Sequence, residues 1–269
     1  MPSKVAGQHR FRNDDEVLDV DDPALAPDLL SRSLEGSVAV VTGGSRGIGL
    51  ACSVGLATLG ATVVIVGRSA ERVEAAVGKL VGEGLDVVGQ VADVADAAAL
   101  RALPTLLGPL GQPDLLVCAA GVMTVPTAKT LRTEQQEWDR VLGINLTGVF
   151  TTVSTFVPAM AARRSGRVVI LSACLGRMSG PGCAGGLAPY RISKAGVNAL
   201  VRNLAHETGQ GRRGVLVDAV CPGHCRTDMG GPNAPRSATE GADSVLWLCV
   251  RDGTGPTGLL WEDRSVVSW

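Results

Sequence analysis

The chain has 269 residues, 45% of them hydrophobic and 19% charged, with a formal net charge of −1, 3% aromatic residues and a single tyrosine. At roughly 100–200 residues per domain, this length accommodates one large domain or two small ones, and either buries a substantial core. Balanced charge and few aromatics argue against a nucleic-acid surface, which needs a basic stripe or stacking platforms.

Residues 1–34 are polar, with Asp14, Asp15, Glu16, Asp19, Asp21 and Asp22 clustered and Pro23 and Pro27 breaking any helix. They read as an extension outside the core, either a surface tail or an arm toward a partner subunit or the site entrance. The stretch MPSKVAGQHRFRNDDEVLDVDD has no apolar h-region, and no later apolar run reaches the roughly 18 residues of a membrane span. The seven cysteines Cys52, Cys118, Cys174, Cys183, Cys221, Cys225 and Cys249 are an odd number with no C-x-x-C pair. Reduced thiols in a soluble, cytoplasmic protein with no membrane or nucleic-acid partner are expected.

From Ser37 onward, β-branched apolar runs alternate with stretches of helical period. The runs are Val38–Val41, Thr62–Val66, Val87–Val91, Leu115–Val117, Val168–Leu171 and Val215–Val220. The helical stretches are Gly49–Leu59, Ala70–Val81, Ala97–Leu107, Glu134–Ala162 and Tyr190–Glu207. Strands buried on both faces read as continuous apolar runs, so the pattern predicts an α/β fold: one doubly wound domain over 35–269, with a parallel sheet of about seven strands and helices on both faces. Gly176–Pro189, rich in glycine and proline, reads as a functional loop.

The first strand runs into Thr42-Gly43-Gly44-Ser45-Arg46-Gly47-Ile48-Gly49, with an apolar helix directly after it. Glycines there let the backbone approach a pyrophosphate, while the helix N-terminus attracts its charge. The next strand ends at Val66-Gly67-Arg68-Ser69 and has no carboxylate for the adenosine ribose hydroxyls of NAD. Arg46, Arg68 and Ser69 suit a 2′-phosphate, so NADP(H) is the expected cofactor; the alternative is two solvated surface arginines.

The only tyrosine lies in Tyr190-Arg191-Ile192-Ser193-Lys194, and the lysines are Lys4, Lys79, Lys129 and Lys194. A spacing of four puts Tyr190 and Lys194 on one helical face, where an ammonium lowers the phenol pKa from its ordinary value of about 10 and makes a general acid/base near neutral pH. Asn145 sits among apolar residues in a long helical region where its amide must be used.

The motif T-G-x-x-x-G-x-G, followed by the Tyr190/Lys194 pair, resembles the short-chain dehydrogenase/reductase superfamily, and the resemblance spans about residues 35–269. It implies a Rossmann domain in which Tyr190 exchanges a proton with the substrate oxygen, Lys194 holds the nicotinamide ribose, and Asn145 marks a helix kink in the proton relay. It also implies that Gly43, Ser45, Arg46, Gly47, Ile48 and Gly49 form the cofactor turn. Asp93 and Val94 would hold the adenine, although Asp93 also reads as a plain helix N-cap. Cys118-Ala119-Ala120-Gly121 stands where the family usually has Asn-Asn-Ala-Gly; it still admits the cofactor but loses amide hydrogen bonds. Pro222, Gly223 and Thr227, in Pro222-Gly223-His224-Cys225-Arg226-Thr227, match the turn that binds the nicotinamide amide. Cys221, His224 and Cys225 have no fourth ligand nearby, so no metal is expected.

The sharpest departure is Ser172-Ala173, where the family has two serines and the second bonds the substrate carbonyl. A lost oxyanion donor costs on the order of 10²–10³ in rate. Ser172, turned by a bulge, or Cys174 or Ser179 on the adjoining loop, are the expected substitutes; the alternatives are activity from Tyr190 alone and a lost or altered reaction. The loop over 227–240 is short, which suits a bulky or carrier-presented carbonyl substrate; Met178, Met229, Leu187 and Trp247 are candidate wall residues. The resemblance further implies a homodimer or homotetramer through the helices near 134–162 and 190–207. The resulting expectation is an NADPH-dependent ketoreductase. The alternatives are non-redox catalysis, such as dehydration or cyclisation, and a cofactor-binding regulatory or structural partner.

Overall fold

The computed structural model describes residues 27–125, 128–180 and 184–269. The reading of residues 1–26 as an extension lies outside the described residues. Pro27–Leu30 forms a short helix α1, and Leu29 and Leu34, which were expected outside the core, are buried in it.

Eight strands form one sheet among the described residues: β1 Val38–Thr42, β2 Thr62–Gly67, β3 Val87–Val91, β4 Leu115–Cys118, β5 Gly166–Leu171, β6 Val215–Val220, β7 Leu260–Glu262 and β8 Ser265–Val267. Their order is β3-β2-β1-β4-β5-β6-β7-β8, parallel up to β7. The sheet is therefore doubly wound, as expected, but has one strand more than the seven expected. That strand runs antiparallel to β7 through a two-residue turn in which Asp263 and Arg264 both take positive φ, 49° and 59°. Such a hairpin matches the twist of its strands. Ser265–Val267 is short and largely exposed, so it has no apolar run to betray it.

Alternation along each strand sends neighbouring side chains to opposite layers. Ala39 and Val41 of β1 pack toward α2 (Gly47–Thr58), α3 (Ala70–Gly82) and α8 (Ala238–Val250). Val40 packs toward α4 (Ala97–Leu107), α6 (Gly148–Arg163) and α7 (Ala188–Glu207). Strand order reverses between β1 and β4, which opens a crevice at the carboxyl ends of the strands, where ligands bind in such sheets.

Helix α5 (Gln135–Leu142) continues through a π turn, Gly143–Thr147, into α6. The resulting Gln135–Arg163 helix has 29 residues and contains an 18-residue window of mean hydropathy 1.4, long and apolar enough to cross a membrane by length and composition. This corrects the expectation that no stretch reaches that length. Val149, Val153, Phe156, Val157 and Met160 are buried against the sheet, the packing of a core helix.

Candidate active site

The glycine turn is shaped by contacts that only hydrogen permits. A side-chain carbon at Gly43, whose φ is +71°, would fall 2.7 Å from the Ala120 nitrogen, and one at Gly49 would fall 2.1 Å from the Gly43 oxygen. The turn is thus drawn against the segment after β4, a close approach that only glycine allows. A carbon at Gly67 would lie 2.9 Å from the Ser45 hydroxyl, so Ser45 occupies the space a side chain at the end of β2 would need. Arg46 is the extended residue before α2 and pairs with Asp228; Arg68 is exposed. Ile48 packs on the core beside Gly241.

Ser69 caps α3, its hydroxyl accepting from the Arg72 N–H at 3.3 Å. The N-cap of α4 is Asp96, not Asp93; Asp93 instead accepts from the Ala95 N–H at 2.9 Å and turns the chain. Val94 is the backbone on which Gly148 of α6 rests. The helix-cap alternative for Asp93 is thereby removed.

Cys118 is buried, and burial pushes its thiol up to about 12. Ala119 donates its N–H to the Thr42 oxygen, which joins β4 to the glycine turn. Asn145, fully buried in the π turn, accepts from the Val122 N–H at 2.8 Å and donates to the Val122 oxygen at 2.9 Å and the Ser193 hydroxyl at 3.1 Å. Ser193 in turn donates to the backbone carbonyl of Tyr190 at 2.7 Å, one turn back in the helix. The expected helix irregularity is present, and the amide ties the loop segment following Gly121 to the helix carrying Tyr190. A side-chain carbon at Gly121 would lie 3.5 Å from Asn145 Oδ1 and 3.8 Å from Lys194 Nζ, so the three meet at one point.

Tyr190 and Lys194 are both buried on one face of α7. Lys194 donates to the Leu171 oxygen at 2.7 Å, and its nitrogen stands 5.8 Å from the centre of the Tyr190 ring. Burial lowers the lysine to about 8, with nearby Cys118 opposing the shift. The phenol moves up, through burial first and then Cys221 and Cys174. This corrects the expectation that the ammonium holds the phenol down: desolvation outweighs a cation whose hydrogen bond goes to a backbone oxygen.

Ser172 does not take the place of the missing serine. Its hydroxyl donates to Asn198 Oδ1 and faces α7, as strand alternation without a bulge requires. Ala173 packs with Tyr190 and Val141 in a small apolar cluster that Val122, Met123, Leu175 and Leu187 border. Ser179 donates to the Trp269 oxygen at 2.9 Å on the surface, and the Cys174 N–H donates to Cys221 Sγ at 3.1 Å. Of the candidate wall residues, Leu187 borders Tyr190, and Met178 and Met229 are exposed. Trp247 stacks edge-on with Trp261 beneath Arg251 and belongs to the core.

Pro222 is buried, and a side-chain carbon at Gly223, with φ +77°, would press on the Arg236 side chain at 3.0 Å. Thr227 accepts from the Gly230 N–H at 3.2 Å and lies against Gly47. Two further residues, with no motif around them, brace the site. Asn198 lies four residues after Lys194, a spacing that puts it on the same face. Glu137 accepts from the Thr124 hydroxyl at 2.7 Å, the Val125 N–H at 2.9 Å and Arg140, bracing the segment before Tyr190's cluster; Arg140 first, then the other donors, hold its carboxyl down at about 2. No motif announces Glu137, because its partners come from a loop.

A family model described as short chain dehydrogenase matches residues 37–237. A 3-oxoacyl-[acyl-carrier-protein] reductase of Staphylococcus aureus is 37% identical over 193 residues, which is 71% of this chain and 75% of that protein. A gluconate 5-dehydrogenase of Gluconobacter oxydans is 32% identical over 88% of this chain and 87% of its own. Among solved structures, a candidate NAD(P)-dependent gluconate 5-dehydrogenase from Beutenbergia cavernae, with NADP bound at low occupancy, superposes with a TM-score of 0.75 at 28% identity, covering 86% of this chain and 96% of that one.

Proposed function

The chain belongs to the short-chain dehydrogenase family, and from that premise we propose that it is an NADPH-dependent oxidoreductase that reduces a ketone to an alcohol, or runs the reverse oxidation. The observation that carries this reading is the placing of Lys194 beside the Tyr190 ring and, with Asn145, beside Gly121 at the carboxyl end of the sheet. The closed space at Gly43 and Gly49 fits a dinucleotide backbone approach. In this reading Gly43, Ser45, Arg46, Gly47, Ile48 and Gly49 hold the pyrophosphate. Arg46, Arg68 and Ser69 hold the 2′-phosphate, and Asp93 and Val94 the adenine. Cys118, Ala119, Ala120 and Gly121 line the ribose side, and Pro222, Gly223 and Thr227 the nicotinamide amide. Ser45 filling the space beside Gly67 disfavours a ribose-binding carboxylate, and the NADP-bound neighbour supports the same cofactor.

The dinucleotide supplies the hydride when bound; the protein's residues position the ketone and manage the proton. Burial keeps the Tyr190 phenol protonated through the neutral range, the form a proton donor needs. Lys194 carries its charge below about 8 and anchors the ribose hydroxyls, and Asn145 fixes the Val122 backbone against Ser193 of the Tyr190 helix. With Ala173 beside Tyr190 and Ser172 held by Asn198, Tyr190 alone of these three donates to the substrate oxygen. The named relatives act on an acyl-carrier-protein-borne oxoacyl group and on gluconate, so a bulky or carrier-presented carbonyl compound is the substrate class. A cytoplasmic dimer or tetramer belongs to the same reading, and light scattering tests its size.

Substrate-dependent loss of NADPH absorbance over a panel of 3-oxoacyl thioesters and keto sugar acids, abolished in Tyr190→Phe, is the expected result. The apolar setting of Ala173 favours one second reading, a dinucleotide-binding member with altered or lost redox chemistry. Tight NADPH binding with no turnover on the whole panel is the outcome that selects it.

A further inference from the structure

Asp228 stands one residue beyond Thr227, and its carboxylate pairs with the Arg46 guanidinium of the glycine turn and lies 3.8 Å from Arg72 Nη1 in the first turns of α3. Three segments far apart in sequence meet at this one carboxylate. The loop that presents it is braced on itself. Arg226 donates its N–H to the Arg236 oxygen at 2.7 Å, Gly231 to the Thr227 oxygen at 2.8 Å, and His224 Nε2 lies 2.7 Å from the Gly230 oxygen. Arg236 then grips both Asp263 oxygens at 2.6 Å. Asp228 is therefore delivered to Arg46 by a folded loop and not by a loose chain end.

The guanidinium that Asp228 engages is the one best placed in the glycine turn for a 2′-phosphate. A phosphate monoester carries about −1.5 to −2 at neutral pH and offers three acceptor oxygens, against one charge and two oxygens for the carboxylate. The side chains of Arg46 and Asp228 are 46% and 42% exposed, so solvent screens their pairing and leaves it exchangeable. We infer that Asp228 is a specificity-determining residue of the dinucleotide groove: its carboxylate competes with the cofactor's 2′-phosphate for Arg46 and Arg72. Binding of the phosphorylated dinucleotide exchanges one ion pair for another while the loop keeps its own braces. NADH, with no 2′-phosphate, leaves the Asp228 pair in place. This inference rests on the reading of the groove as a dinucleotide site.

Calorimetric titration of wild type and Asp228→Asn with NADPH, NADH and adenosine 2′,5′-bisphosphate tests it. The variant is expected to bind NADPH and the bisphosphate about two- to five-fold more tightly at low ionic strength, the range of one exposed ion pair, with NADH unchanged. The gain fades at about 0.5 M salt, where screening is nearly complete. Arg72→Gln is expected to weaken NADPH and the bisphosphate while sparing NADH, and Asp228→Ser repeats the first comparison with a smaller side chain. If Asp228→Asn and Asp228→Ser weaken NADPH and NADH alike, Asp228 is a loop brace and the inference is overturned. If wild type binds NADPH but neither Asp228 variant changes the NADPH-to-NADH ratio, the inference alone fails. A wild-type chain that binds none of the three ligands overturns the dinucleotide reading itself, and the inference with it.

Discussion

Lys194 gives its ammonium hydrogen bond to the Leu171 carbonyl, 2.7 Å away at the end of β5, while its nitrogen stands 5.8 Å from the centre of the Tyr190 ring. Proton donor and cation are thus neighbours on one helix face, the cation tied to the end of β5 and the phenol packed with Ala173 and Val141.

One consequence is a pH dependence with a definite sign. Lys194, depressed to about 8, is charged below that pH and neutral above it, while the phenol stays protonated throughout. In ketone reduction, kcat/KM is expected to hold constant from about pH 6 to 7.5 and to fall roughly tenfold per pH unit well above 8. A profile flat to pH 10 would count against an ionised Lys194 in the reaction.

The same burial has a stability signature. Between about pH 8 and the ordinary 10.5 the unfolded chain binds a proton at Lys194 that the folded chain does not, so stability rises with pH across that window, and below it the burial cost is felt in full. Lys194→Met is expected to gain about 1–3 kcal/mol at pH 7 while losing activity, as measured by urea unfolding and NADPH turnover. Reduced stability would show that the bond to Leu171 outweighs the burial.

Ala173 is 9% exposed and touches Tyr190's apolar cluster, so a serine adds one hydroxyl beside the reacting oxygen without displacing a large group. Ala173→Ser is expected to raise kcat by about ten-fold to 10³-fold with little change in KM, the range of one oxyanion donor. No rise in kcat would mean that the substrate oxygen does not lie near residue 173.

Asn145 satisfies both the N–H and the C=O of Val122 from within the π turn. Asn145→Leu strands those groups, and a loss of about 2–4 kcal/mol in denaturant unfolding is expected, together with a fall in kcat. Asn145→Asp keeps an acceptor for the Val122 N–H and should recover part of the stability but not the donation to Ser193.

Arg251 and Asp218 form a pair at 2.6 Å whose side chains are 6% and 4% exposed, and Asp218 also accepts from Trp261 Nε1 at 3.0 Å. Asp218→Asn leaves a buried guanidinium without its counter-charge, so a loss of about 3–5 kcal/mol is expected in urea titration. A loss under 1 kcal/mol would mean that water reaches Arg251.

Much of the fold was legible because its physics is local. Five apolar runs buried on both faces announce β1, β2, β4, β5 and β6, a sixth announces the half-exposed edge strand β3, and the glycines of the β1–α2 turn announce a backbone that must approach something closely. The i, i+4 spacing of Tyr190 and Lys194, and an asparagine among apolar residues at 145, likewise follow from helix geometry and the cost of burying an unused amide. β8 was hidden because a short exposed strand held by a two-residue turn has no periodicity to display.

What only the tertiary structure decided concerns partners brought from a distance. Tyr190 titrates upward, not downward, because desolvation by the packed sheet edge exceeds the pull of a cation bonded elsewhere. Ser172 points to Asn198 because β5 runs without a bulge, a property of the ladder and not of any residue in it. Asp228 reaches Arg46 because the loop after β6 folds back over the glycine turn, 182 residues away in sequence. Sequence by itself determined which groups are available for chemistry; the packing of the sheet determined their protonation and their partners, since both depend on burial and on contacts that no local spacing encodes.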